Sequence, residues 1–232
     1  MTLPDLIISW PMNCDYPLFR AFIRANRLKF NKVIIVFTYT NSGEDYRQFV
    51  NDSMQDDQCL ILVSPKPTGY QDWRNVAVNY ALSFSQSEWI VFLEQDFFII
   101  DELFWREVDK YSITHQVIGV FDGPRLHPCC LFIERGVLNK TSKNFGIIPN
   151  RLDHFGIIQN NLNDLGQPIA EINKRYYHHM NGLSHNCYLA YTHQEVTYKP
   201  DEFREYMITC LTIDSVPLDP RFVTLARSIA RN

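Results

Sequence analysis

Residues 6–10, 32–38, 59–63 and 89–93 are short, nearly unbroken apolar runs, and the stretches between them carry apolar residues at helical spacing. A strand that is apolar on both faces must be covered on both faces, and parallel pairing needs a crossover long enough to hold a helix. The alternation therefore predicts an α/β domain, a mostly parallel sheet between two helical layers.

Pro11 stops the first strand, Leu6 to Trp10, and Leu18, Phe19, Phe22, Ile23 and Leu28 then predict a helix over residues 17–30. The run from Lys32 to Thr38 ends at Asn41-Ser42-Gly43, and residues 44–54 read as a short helix. Cys59 to Val63 is a third strand, closed by a proline-rich loop. Asp72 is placed to cap a helix from Trp73 to Phe84, with Val76, Ala77, Tyr80, Ala81 and Phe84 on one face. The fourth strand, Trp89 to Leu93, runs directly into Glu94-Gln95-Asp96. Further on the pattern predicts a helix over 102–111, strands over 117–121 and 130–133 joined by Asp122-Gly123-Pro124-Arg125, and helices over 153–165 and 219–230.

With 232 residues, 46% of them apolar, the chain has enough material for one large globular domain. Its 22 Lys and Arg against 26 Asp and Glu give a formal charge of −4, which excludes a general electrostatic attraction to nucleic acid or anionic membrane. The longest candidate for a membrane span, residues 89–100, is interrupted by Glu94 and Asp96. Met-Thr-Leu-Pro-Asp has no basic region ahead of its apolar stretch, so the expectation is a cytoplasmic protein. Six scattered cysteines without a C-x-x-C pair are expected to be reduced and mostly buried.

Three groups of residues are candidates for chemistry. Glu94 and Asp96 end a buried strand, at the sheet edge where open α/β proteins bind ligands, and two residues apart on a strand they would share a face suited to one divalent cation. His178, His179 and His185 crowd a segment that Asn181 and Gly182 mark as a loop; their spacing matches no zinc motif, but at least one is a candidate for facing a metal or phosphate. Asp153-His154 stands at a predicted helix start, where the acid can cap the helix or act as a base. Arg74, Asn75 and Asn79 open the helix before the acidic strand; the two asparagines, one turn apart, suit either local capping or a nucleotide phosphate.

The stretch Ala77-Val78-Asn79-Tyr80-Ala81-Leu82, followed by Glu88 to Asp96, resembles the central segment of GT-A-fold glycosyltransferases, in which an Ala-Arg-Asn-x-Gly/Ala-Leu helix precedes a strand ending Phe-Leu-Asp-x-Asp. The likeness extends over about residues 5–165, with Glu94-Gln95-Asp96 in place of Asp-x-Asp and Val78 in place of the arginine. It implies a three-layer GT-A domain over residues 1–232, the first 100 residues forming the nucleotide-sugar half and the remainder the acceptor half. It also implies Mn²⁺ or Mg²⁺ held by Glu94 and Asp96, with His185 or His179 completing the metal shell. Asp153 stands in the position of the base of inverting members. The implied donor-binding residues are Ser9, Trp10, Pro11, Thr40, Asn41, Arg74, Asn75, Asn79 and Gln95.

The activity implied is transfer of a hexosyl or pentosyl group from a nucleotide sugar, a UDP-sugar being the first expectation, to the hydroxyl of a glycan, lipid-linked sugar, protein, small molecule or modified DNA base. A nucleotidyltransferase of related fold and a noncatalytic carbohydrate- or nucleotide-binding domain are the alternatives. The absence of a glycine-rich basic loop after the first strand, where Trp10-Pro11-Met12-Asn13 stands, weighs against nucleotidyl transfer.

Overall fold

The computed structural model describes residues 1–10, 27–37, 59–68, 73–94, 97–146 and 155–179. Nine strands occur among them: β1 (Asp5–Trp10), β2 (Lys32–Phe37), β3 (Cys59–Val63), β4 (Trp89–Leu93), β5 (Phe97–Ile99), β6 (Val117–Asp122), β7 (Arg125–Glu134), β8 (Ala170–Glu171) and β9 (Tyr177–His179). The α-helices described are α1 (Trp73–Leu82), α2 (Leu103–Tyr111), α3 (Arg135–Leu138) and α4 (Gly156–Asp164). None of the described helices is long and apolar enough to cross a membrane.

Seven strands form one sheet in the order β3-β2-β1-β4-β7-β6-β8, and β5 pairs with β9 in a second, two-stranded sheet. In the large sheet β1, β2, β3 and β4 are parallel, whereas β7 is antiparallel to both of its neighbours. Alternate residues feed two cores, as the strand period requires. Leu6, Ile8, Val33, Ile35, Val91 and Leu93 face α2, whose Phe104, Trp105 and Val108 are buried there. Ile7, Ile34, Val36, Ile90 and Phe92 face α1, α3 and α4 through Ala77, Ala81, Val137, Leu138, Ile158 and Leu162. The predicted α/β sandwich is the architecture found.

The α2 side is built from aromatic rings: Trp105 meets Phe104 edge-on at 5.3 Å between centroids, and Phe97 lies 4.9 Å from Tyr177. The latter pair seats the small β5–β9 sheet on this core, since Phe97 and Tyr177 are both buried.

Asp5 anchors the opposite end of β1. Its buried carboxylate accepts hydrogen bonds from Asn31 Nδ2 (2.9 Å), Ser85 Oγ (2.8 Å), Ser87 Oγ (2.8 Å) and the amides of Gln86 (2.9 Å) and Ser87 (3.1 Å). Arg135 braces the same loop through Ser85 Oγ and the Ser87 carbonyl, both at 2.8 Å. Burial by itself raises the Asp5 pKa, but the hydrogen bonds from Asn31, Ser87 and Ser85 outweigh it and hold the value below its ordinary level.

Several predicted boundaries are corrected. The first helix of the acidic-strand unit ends at Leu82, not Phe84, and those predicted over 102–111 and 153–165 span Leu103–Tyr111 and Gly156–Asp164. Strand β7 begins at Arg125, five residues before the predicted start. The predicted loop over 178–185 begins instead as strand β9, because His178 and His179 pair with Phe98 and Phe97, a long-range ladder without a local periodic signal. Of the predicted 17–30 helix, Arg27–Lys29 form a 3₁₀ turn and Phe30 is not helical; its residues 17–26, the 44–54 and 219–230 helices and the Asp72 cap lie outside the described residues.

Candidate active site

Strand β1 pairs with β2 on one side and β4 on the other, so the chain order reverses between β1 and β4, the point beyond whose carboxyl ends open α/β sheets bind ligands. Ser9 and Trp10 end β1, and extending the Ile7–Phe92 register by two residues brings Ser9 level with Glu94.

Glu94 stands one residue beyond β4. Its amide donates to the Cys129 carbonyl at 3.1 Å, and its own carbonyl accepts from the Phe97 amide at 3.2 Å. Strand β4 ends at Leu93; Gln95 and Asp96 lie outside the described residues, so the shared face expected of Glu94 and Asp96 falls there too.

Strand β5 pairs with β9, and β9 brings His179 to the acid. His179 Nε2 lies 3.2 Å from Glu94 Oε2, with the imidazole largely buried and the carboxylate one-third exposed. The remaining wall comes from β7. Between the Gly119–Leu131 and Phe121–Leu126 pairs, only Val120 of β6 stands opposite residues 127–130, a bulge that also accommodates Pro128 within the strand. Cys129 and Cys130 consequently pack into the same core although adjacent in sequence. The bulge sets His127 beside His179, ring centroids 4.7 Å apart at 65°, and the Cys129 amide donates to His127 Nδ1 at 3.1 Å.

Donor atoms of His127, Cys129 and His179 all lie within 4.8 Å of one another, with Cys129 buried and both histidines partly buried. Burial, and then the neighbouring Cys129 and Cys130, raise the Tyr177 hydroxyl pKa, while burial raises that of the Cys130 thiol. Both groups are neutral near pH 7. Sequence reasoning missed His127 and Cys129 because Pro128 argues against a strand there; the available signal was His-x-Cys immediately before an apolar run.

Asn75 and Asn79 hydrogen-bond to each other and to the 143–145 segment. Asn79 Nδ2 donates to the Asn75 side-chain and backbone oxygens, both at 2.9 Å, and to the Lys143 carbonyl at 3.0 Å. Asn75 Oδ1 also accepts from the Phe145 amide at 3.0 Å, tying α1 to the 143–145 segment. Arg74 is half-buried at the start of α1. Pro11, Thr40, Asn41, Asp153 and His185 lie outside the described residues, as do the side chains of Ser9, Trp10 and His178.

Neither a protein-family model nor a curated protein matches the chain by sequence. Solved structures do match by shape. A mannosyltransferase from Pyrobaculum calidifontis, solved with GDP-Man and Mn²⁺, superimposes with a TM-score of 0.56 at 12% identity, covering 98% of this chain and 69% of that one. The chain has a GT-A glycosyltransferase fold. Glucosyl-3-phosphoglycerate synthase from Mycobacterium tuberculosis, in complex with Mn²⁺, UDP and glucosyl-3-phosphoglycerate, matches with a TM-score of 0.53 at 14% identity over 91% of this chain and 80% of its own. TarS from S. aureus gives 0.52 at 13% identity over 97% and 68%.

Proposed function

We propose that this protein is a divalent-metal-dependent glycosyltransferase that moves a sugar from a nucleoside diphosphate sugar to an acceptor hydroxyl. The observation carrying this reading is the Glu94 carboxylate at the carboxyl end of β4, 3.2 Å from His179 Nε2. A carboxylate oxygen and an imidazole nitrogen at that separation suit a shared Mn²⁺ or Mg²⁺, with Asp96 as a further ligand and His185 as the alternative histidine. When bound, such an ion would supply charge neutralisation for the departing diphosphate.

The chain's own residues supply the rest. Ser9, Trp10 and Pro11, with Thr40 and Asn41, line the nucleotide side, and Arg74 and Gln95 flank the phosphates. Asn75 and Asn79 support that wall by holding segment 143–145 in place. Asp153, in the acceptor half, takes the proton from the acceptor hydroxyl as its oxygen attacks the anomeric carbon on the face opposite the leaving group, which makes the enzyme inverting. The preceding half, residues 1–100, holds the donor.

The test is a thermal-shift panel of nucleoside diphosphates and nucleotide sugars with Mn²⁺, Mg²⁺ or chelator, followed by assay of nucleoside diphosphate release with and without acceptors. A metal-dependent shift and metal-dependent release support the reading. Pyrophosphate release from a nucleoside triphosphate and a sugar phosphate would replace it with nucleotidyl transfer, and binding without turnover would replace it with a noncatalytic domain.

A further inference from the structure

We infer that His127, Cys129 and His179 form a binding site for a thiophilic divalent cation, zinc. The inference stands on the cluster itself and does not depend on the transferase reading. Three potential ligand atoms from two separate strands lie within 4.8 Å of one another, one buried and two partly buried. A bulge in β7 brings two of them there, and the β5–β9 ladder brings the third.

The donor set determines the metal. Two imidazoles and a thiolate match Zn²⁺ and match Mg²⁺ or Mn²⁺ poorly, because the latter pair favours oxygen ligands. Zinc–ligand bonds of about 2.0–2.3 Å place tetrahedral ligand atoms roughly 3.3–3.8 Å apart. The cluster therefore needs a contraction of at most about 1–1.5 Å per pair, within reach of side-chain torsions. Glu94, 3.2 Å from His179, is an acid beside this three-ligand site.

Binding balances without redox chemistry. The Cys129 Sγ–H bond breaks, the electron pair forms the S–Zn bond and the proton goes to solvent. His127 Nδ1 accepts the Cys129 amide at 3.1 Å, so a neutral ring carries its proton on Nε2. Ligation by Nδ1 replaces that hydrogen bond, and ligation by Nε2 moves the ring proton to Nδ1, which then no longer accepts from the Cys129 amide. In either case one hydrogen bond is exchanged for a metal bond.

The experiment uses the full chain, stripped of metal and with its thiols reduced, titrated with Zn²⁺ against a chromophoric chelator and separately with Co²⁺ as a spectroscopic substitute. The expected result is one zinc per chain, and a Co²⁺ complex with near-ultraviolet thiolate charge transfer and intense visible bands. Cys129→Ser should abolish the charge-transfer band. His127→Gln should weaken zinc more than about tenfold, since even outer-shell partners of a metal site cost 10–100-fold, and Cys59→Ser should change neither signal. Circular dichroism checks that Cys129→Ser folds, and His127→Gln carries the test if it does not. No zinc uptake, a charge-transfer band that survives in folded Cys129→Ser, or unchanged zinc affinity in His127→Gln would overturn the site. All readings are taken without a sugar donor, so their failure is separate from failure of the transferase proposal.

Discussion

Glu94 and His179 meet 3.2 Å apart because Glu94 directly follows β4 and the β5–β9 ladder, whose last pair is Phe97–His179, returns the imidazole to it. Neither side chain belongs to the large sheet. Glu94 is placed by the central strand β4 and His179 by the small sheet, so the acid–imidazole contact depends on the small sheet remaining seated on the aromatic core.

Glu94→Gln keeps the shape of the side chain and removes its charge. The variant should melt within about 1–2 °C of the parent, because substitutions at partly exposed sites away from packing features stay within about 0.5 kcal/mol. Its metal-dependent donor shift should disappear and its turnover should fall by more than about 100-fold, as losing one charge-stabilising group costs 10²–10³ in comparable sites. Full turnover in Glu94→Gln would remove the carboxylate from the mechanism.

Asp5→Asn attacks stability at the opposite end of β1. Five hydrogen bonds converge on that carboxylate, and the substitution should cost about 2–4 kcal/mol, in the range for disrupting a buried charged network. The Asp5 pKa is lowered in the folded state, so its ionic stabilisation is complete above the unfolded value near 3.9 and is lost as pH falls through the folded value. Urea unfolding at pH 7 and at pH 3 or below should show the gap between parent and variant narrowing in acid. A gap independent of pH would contradict the assignment.

Asn79→Ala should loosen the link between α1 and the Lys143 carbonyl. Loss of these hydrogen bonds is expected to cost about 1–2 kcal/mol. Hydrogen exchange at the Phe145 amide, held by the Asn75 carboxamide that Asn79 orients, should accelerate. Unchanged exchange there, with a lost donor shift, would instead assign Asn79 to the ligand.

Zinc and the proposed donor metal both call on His179, so they should compete. Adding one equivalent of Zn²⁺ to the Mn²⁺-loaded protein is expected to suppress sugar transfer, and Cys129→Ser should relieve the inhibition. Equal inhibition of parent and variant would locate the inhibitory zinc elsewhere.

The layered α/β architecture was legible in the residues because each central strand is an apolar run whose alternate side chains feed two cores, and because α1, α2 and α4 carry apolar faces of their own. Glu94 was legible for the same reason, as the first acid after the most continuous of those runs. Local spacing did not reveal the three-residue β5–β9 ladder or the β7 bulge. Those features bring Glu94 and His179, with Cys129 and His127, to one place. The physical reason is range: strand and helix periodicity are properties of neighbouring residues, which sequence contains directly. The contact of β9 with β5 and the displacement of Cys129 from the regular ladder are settled by packing between segments distant in the chain, and only the tertiary structure decides them.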